Sequence, residues 1–223
     1  MSALELSAVL FDMDGTLFDT ERLSLETWLA VGQEHGWAQV TERYSELIGQ
    51  NRESIRAKMR SWLGPDFPVE EFLQTCSSRT NARIEREGVP LKKGAGEILA
   101  LLAQRGVPMA LATSTGRERT LRRMELSGLG KYFSVITAGD QVVHGKPDPE
   151  IYLTSCRAVG VSPRQALAVE DSPNGVRAAL AAGIPTVWVP DLLPLPPEVE
   201  AQLFRTCHDL LELRDYLSRI LPR

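Results

Sequence analysis

The chain has 223 residues, 43% of them hydrophobic and 24% charged, with a formal net charge of -4. Those totals describe a globular protein with enough apolar side chain for one large domain, or for one domain with a small companion. A net-acidic chain without a basic patch attracts neither nucleic acid nor an anionic membrane, so a small-molecule partner is expected.

Ala8 to Phe11 is an unbroken apolar segment that stops at polar and glycine residues, the pattern of a strand buried on both faces. From Thr20 to Gly88 the apolar residues fall instead at helical spacings, as in Leu25, Trp28 and Leu29 or Ile55 and Met59, without a β-branched run. An all-helical insertion follows from that pattern. Beyond it, helical stretches at Gly94–Gln104, Arg117–Ser127, Pro149–Val159 and Pro173–Ala182 accompany apolar strands. Val107–Ala112 runs into Thr113-Ser114, Ala166–Val169 into Glu170-Asp171, and Thr186–Val189 into Pro190-Asp191.

Strands alternating with helices form βαβ units. The expected fold class is α/β: a Rossmann-like, doubly wound parallel sheet with a small all-helical cap domain inserted after the first strand. The core would comprise residues 1–19 and 89–223, and the cap 20–88. Thr115-Gly116-Arg117-Glu118 fits a capping box, and Ser172-Pro173 places a capping residue before a proline suited to the first helical position. The proline-rich stretch 191–200 reads as an ordered surface loop.

Cys76, Cys156 and Cys207 are odd in number and lack a C-x-x-C pair, so neither a disulfide framework nor a zinc site is legible. The N-terminus has no positive leader and no segment is long enough to span a bilayer, so a cytoplasmic protein is expected, as a monomer or weak dimer.

The strand ends carry the chemistry. Asp12, Asp14, Thr113, Ser114, Glu170 and Asp171 lie at carboxyl ends of strands, where doubly wound sheets bind ligands, and Lys146 lies in a loop on the same side. Two carboxylates one residue apart after a buried strand need a cation, and an oxygen cluster of Asp12 and Asp171, helped by Asp14 and Glu170, suits Mg²⁺. With its charge offset, Asp12 is the candidate nucleophile toward a phosphoryl group, and Asp14 the candidate acid and base. Lys146 would meet the phosphate as a point charge. Thr113 and Ser114 would donate to its oxygens beside a helix start. Gly15 lets the chain turn away from the strand, and Thr16 offers a hydroxyl to Asp14 or to the backbone.

Other features read as ordinary structure. His35, His144 and His208 share no ligand spacing, and Trp28, Trp37 and Trp62 read as packing residues of the insertion. Arg117, Arg119, Arg122 and Arg123 read as a solvated helix face.

Asp12-Met13-Asp14-Gly15-Thr16, Thr113-Ser114, Lys146-Pro147 and Glu170-Asp171, taken in order, resemble the four motifs of the haloacid dehalogenase superfamily of aspartate-nucleophile phosphohydrolases. The continuation Ser172-Pro173-Asn174-Gly175 is similar to the branch containing β-phosphoglucomutase and the sugar-phosphate phosphatases. The resemblance covers Ala8 to Pro190. It implies Mg²⁺ held by Asp12, the Asp14 carbonyl and Asp171, with Glu170 a ligand or a support for one. It also implies a substrate-facing set of Thr113, Ser114, Gly15, Asn174 and Arg52, the last from Gly49-Gln50-Asn51-Arg52-Glu53 of the cap.

The dehalogenases lack the second aspartate, so Asp14 favours phosphorylated substrates. The mutases carry a histidine soon after the first motif, where this chain has Ser24. The expected activity is a Mg²⁺-dependent phosphatase acting on a small phosphorylated metabolite, a sugar phosphate foremost. A β-phosphoglucomutase-like isomerase is the alternative, and a non-enzymatic receiver-like phospho-acceptor domain a more distant one.

Overall fold

A computed structural model describes residues 6–47 and 52–222 of the protein. Strands β1 (Ala8–Phe11), β2 (Met109–Ala112), β3 (Val135–Thr137), β4 (Ala166–Glu170), β5 (Thr186–Trp188) and β6 (Arg205–Thr206) form one sheet in the order β3-β2-β1-β4-β5-β6. Every neighbouring pair is parallel. The chain builds outward from β1 in one direction, then returns to start β4 on β1's other side. The expected doubly wound α/β sheet is therefore present.

Successive side chains of a strand face opposite ways, and here the two faces differ in size. Val9, Phe11, Met109, Leu111, Leu167 and Val169 join one apolar cluster with Ile98, Leu99 and Leu102 of α5 (Ala95–Gln104) and Leu213 and Leu217 of the helix Leu210–Ile220. Ala8, Leu10, Ala110, Ala112, Ala166 and Ala168 meet α7 (Glu150–Val159) and α8 (Pro173–Ala181) on the other. Each fully buried Leu or Phe contributes about 1.5–3 kcal/mol, and the alanine face lets α7 and α8 approach closely.

Between β1 and β2 run α1 (Thr20–Glu34), α2 (Ala38–Glu42), α3 (Arg52–Leu63) and α4 (Val69–Glu87). Trp28, Val31, Tyr44, Met59, Phe72 and Cys76 form a separate apolar cluster there, with Trp37 and Trp62 packed against it. Leu23 and Ile84 instead join the sheet's own cluster. The two connections to the sheet are hydrogen-bonded together: Asp19 N–H donates to Pro90 O and Lys92 N–H to Leu17 O, each at 2.9 Å.

Two strands carry little sequence signal. β3 has only three residues, two of them half-buried, and β6 is Arg205-Thr206, without an aliphatic side chain. The helix α6 (Arg117–Ser127) corrects the capping-box expectation, because Asp140 accepts from Arg117 N–H at 3.0 Å and the Thr115 hydroxyl is turned to Asp14. At α8 the expectation holds: Ser172 Oγ accepts from Gly175 N–H at 3.0 Å, with Pro173 at the first helical position. Among the described residues no helix is long and apolar enough to cross a membrane.

Candidate active site

The adjoining strands β1 and β4 diverge in connection just where the carboxylates lie. Leu10 pairs with Ala168 and Phe11 with Val169, so Asp12 and Glu170 emerge side by side, and Asp12 N–H donates to Val169 O at 3.0 Å. Alternation puts Glu170 on the alanine face with Ala166 and Ala168, facing α7. Lys146 Nζ fills the space, donating to Asp12 Oδ1 at 2.5 Å, Glu170 Oε1 at 2.6 Å and Ala112 O at 2.9 Å. The Tyr152 hydroxyl donates to Glu170 Oε1 at 2.5 Å. Asp171 accepts from Thr16 Oγ1 at 2.6 Å, which corrects the expectation that Thr16 serves Asp14 or the backbone.

Two glycines make this assembly possible. Gly15 turns with φ +88°, and a Cβ there would lie 2.1 Å from Asp171 Oδ2. A Cβ on Gly175 would lie 2.1 Å from the Glu170 carboxyl carbon. Only bare backbone lets the first turn and α8 come this close to the acids.

The electrostatics are unbalanced. Burial above all, reinforced by Glu170 and opposed by Lys146, pushes the Asp12 carboxyl well above the ordinary range. Burial, with Asp12 and Glu170, does the same to Asp171 against the Thr16 hydrogen bond. Burial would drive the Lys146 ammonium down, yet Asp12 and Glu170 carry it above the usual lysine value and keep it charged. One oxygen from each of Asp12, Glu170 and Asp171 lies within 4.8 Å of the others, all three residues being buried. Three carboxylates against one ammonium leave an excess of about two negative charges, and a hard divalent cation fits both that deficit and the all-oxygen donor set.

Asp14 has different surroundings. Its Oδ1 accepts from Thr20 Oγ1 at 2.5 Å and from Arg123 Nη1, and its Oδ2 from Thr115 Oγ1 at 2.6 Å. Arg123 is buried, which corrects its assignment to a solvated face; Arg117, Arg119 and Arg122 of the same helix are exposed.

These groups open into a cavity of about 570 Å³, large enough for a metabolite. Asp12, Asp14, Thr113, Ser114, Lys146, Asp171 and Asn174, all singled out from sequence, line it. Glu170 lies behind them, wholly buried, and Gly15 faces Asp171 rather than the cavity. Arg52 is the first residue of α3; its side chain, like Gly49, Gln50 and Asn51, lies outside the described residues.

Glu21, which sequence reasoning passed over, Glu53, quoted there only within the cap stretch, and Arg119, read there as part of a solvated helix face, also line the cavity, from α1, α3 and α6. Sequence reasoning also passed over Tyr152 and Thr20, and read Thr115 as a helix cap rather than a partner of Asp14. Burial, with Asp14 and Asp191 nearby, pushes the Glu21 carboxyl up to about 8. One signal was available: Thr120, Arg123 and Met124 share the inner face of α6, so Arg123 stands in the apolar register of its helix. The three histidines are exposed, as expected of surface residues, and His144 Nδ1 lies 3.1 Å from Glu150 Oε2, with Asp148 beside them.

The comparisons with known proteins agree on one family. Residues 9–189 match a family model described as haloacid dehalogenase-like hydrolase. The chain is 35% identical over 187 residues to a phosphorylated carbohydrates phosphatase from Thermotoga maritima, covering 82% of this chain and 84% of that one. Among solved structures it resembles CbbY from Rhodobacter sphaeroides in complex with xylulose-(1,5)bisphosphate, with TM-score 0.76, 27% identity, and 93% and 96% of the two chains covered. It also resembles a HAD family hydrolase from Deinococcus radiodurans R1 with bound phosphate and sodium, with TM-score 0.76, 29% identity and 97% of each chain covered.

Proposed function

The chain belongs to the haloacid dehalogenase-like hydrolase family, and from that premise we propose that it is a Mg²⁺-dependent phosphatase of small phosphorylated metabolites, sugar phosphates foremost, working through an aspartyl-phosphate on Asp12. One observation carries the reading. Asp12 is buried at the cavity floor with one oxygen committed to Lys146, in a carboxylate cluster that a divalent cation would complete.

Asp12 and Asp171, with the Asp14 carbonyl and Glu170 in support, are the residues that would hold Mg²⁺, which when bound draws charge from the phosphoryl oxygens and offsets the carboxylates. Lys146 fixes Asp12 Oδ1, leaving the other oxygen to attack phosphorus. As the Asp12 O–P bond forms, the bond from phosphorus to the leaving oxygen breaks, and Asp14 gives that oxygen a proton. In the second half Asp14 takes a proton from water. The water oxygen bonds to phosphorus, the P–O bond to Asp12 breaks, and inorganic phosphate departs. Thr113 and Ser114, which line the cavity, would donate to the phosphate oxygens.

We assign residues 20–88 as a helical cap that closes over this chemistry and, through Glu21, Glu53 and Arg52, selects the ester. The relative that hydrolyses phosphorylated carbohydrates supports the substrate class. The test is a phosphate-release screen over sugar phosphates, nucleotides and phosphoglycolate, with and without Mg²⁺, on the parent and on Asp12→Asn. Release by the parent that needs Mg²⁺ and vanishes in Asp12→Asn is expected. Interconversion of β-glucose 1-phosphate and glucose 6-phosphate without phosphate release would replace the phosphatase by the mutase.

A further inference from the structure

A guanidinium inside a helix-packed interface is costly to desolvate, and a buried ion pair is weak grounds for stability when an apolar side chain would serve. Arg123 nevertheless lies at 10% side-chain exposure, ion-paired to Asp14, itself at 16%. Its neighbours on the inner face of α6 are Thr120 and Met124. Such an arrangement calls for a reason beyond packing.

Asp14 is held by donors from three separate parts of the chain: Thr20 at the start of α1, Thr115 after β2, and Arg123 on α6. The two carboxylate oxygens are treated differently. Oδ1 meets the guanidinium and Thr20, whereas among the described residues Oδ2 meets the Thr115 hydroxyl alone. A guanidinium donates and never accepts, so a proton on Oδ1 would point at other protons. A hydroxyl can rotate from donor to acceptor, so a proton on Oδ2 is accommodated.

We propose that Arg123 is a positioning residue that fixes the plane of the Asp14 carboxylate and reserves Oδ2 for proton transfer to and from the cavity. The inference rests on the reading of Asp14 as acid and base. In the first half-reaction the proton leaves Oδ2 for the ester oxygen as the phosphorus–oxygen bond breaks. In the second it returns to Oδ2 from the water whose oxygen bonds to phosphorus.

The test exploits leaving groups. Glucose 6-phosphate releases an alkoxide oxygen that needs a proton, whereas p-nitrophenyl phosphate releases a stable phenolate that does not. The constant kcat/KM reports steps only as far as departure of the leaving group, so later hydrolysis does not blur it. Arg123→Met is expected to lose about 100-fold in kcat/KM on glucose 6-phosphate and less than about 3-fold on p-nitrophenyl phosphate, the low end of what acid–base catalysis contributes. Asp14→Asn should show the same selectivity, and the double variant should fall no further than Asp14→Asn, because the two residues act as one unit. Arg123→Lys should restore part of the loss.

Equal losses on both esters, or none on glucose 6-phosphate, overturn the inference, since a residue that merely supports the fold has no means of sensing the leaving group. Asp14→Asn without selectivity would overturn the acid reading itself; selectivity in Asp14→Asn but not in Arg123→Met overturns only the role of Arg123. Thermal melts accompany each variant, and if Arg123→Met does not fold, Arg123→Gln and Arg123→Lys carry the same comparison.

Discussion

Replacing Lys146 by methionine removes the ammonium from a site that holds Asp12, Glu170 and Asp171. Both of its ion pairs are lost, at 2.5 Å to Asp12 and 2.6 Å to Glu170, together with the 2.9 Å bond to Ala112 O. Methionine fills nearly the same volume, so the cost is electrostatic rather than a cavity. Removing one partner of a buried pair costs about 3–5 kcal/mol, because the other charge stays buried without it. In a chain of this size each kcal/mol moves Tm by about 2–4 °C, so Lys146→Met in chelator should melt roughly 6–20 °C below the parent. The assay is calorimetric or circular-dichroism melting, with chelator and then with Mg²⁺. Mg²⁺ should raise Tm more in the variant than in the parent, since cation and ammonium answer the same negative charge. Lys146→Met/Glu170→Gln should recover part of the loss, as it removes the stranded charge along with its partner. A fall of less than about 1 kcal/mol, the worth of an exposed pair, would show that Lys146 does not neutralise the cluster.

Gly175→Ala should destabilise by about 1–3 kcal/mol, the usual cost of overpacking, because its Cβ would fall 2.1 Å from the Glu170 carboxyl carbon; denaturant melts with an unchanged midpoint would refute the close approach. Asp171→Asn should raise the Mg²⁺ concentration needed for half-maximal activity and for half the Mg²⁺-induced rise in Tm, and an unchanged requirement in both would remove Asp171 from the metal site. Glu21 is raised to about 8 in the fold, so the folded chain binds this proton more tightly than the unfolded one. Its stabilisation is complete below the ordinary carboxyl value, about 4.3, and is lost as pH rises through about 8. Glu21→Gln, neutral at every pH, should therefore gain on the parent in Tm steadily from pH 5 to 8.5; a constant difference would mean that Glu21 is ionised throughout.

The legible parts of the fold are those where burial is written in the local pattern. β1, β2 and β4 are apolar on both faces because helices cover both, and their ends point to Asp12, Thr113 and Glu170 without further help. β3 and β6 lie at the sheet's edges, where short strands need few apolar residues. The acids were legible as residue types, but their partners were not. Thr16 reaches Asp171 across 155 positions and Arg123 reaches Asp14 across 109, and such pairings exist only after the sheet forms. Tyr152 resembled any aromatic residue of an amphipathic helix until β4 placed Glu170 above it. The Thr115 capping expectation failed because the helix begins one residue later, with Gly116 at its N-cap and Asp140 accepting from Arg117 N–H, which leaves the Thr115 hydroxyl turned to Asp14.

Helices α1 to α4 leave and rejoin the sheet through connections hydrogen-bonded to one another, Asp19 to Pro90 and Lys92 to Leu17. From the sheet's side they amount to one long loop whose ends are already closed, and the entropy of closure grows only logarithmically with loop length. Exchanging α2, α3 and the parts of α1 and α4 that do not carry Leu23 and Ile84 to the sheet for a larger, smaller or differently charged set would thus barely disturb the folding of the rest. Descendants of such a chain can acquire new substrates by rewriting this loop while inheriting the acids and the lysine intact.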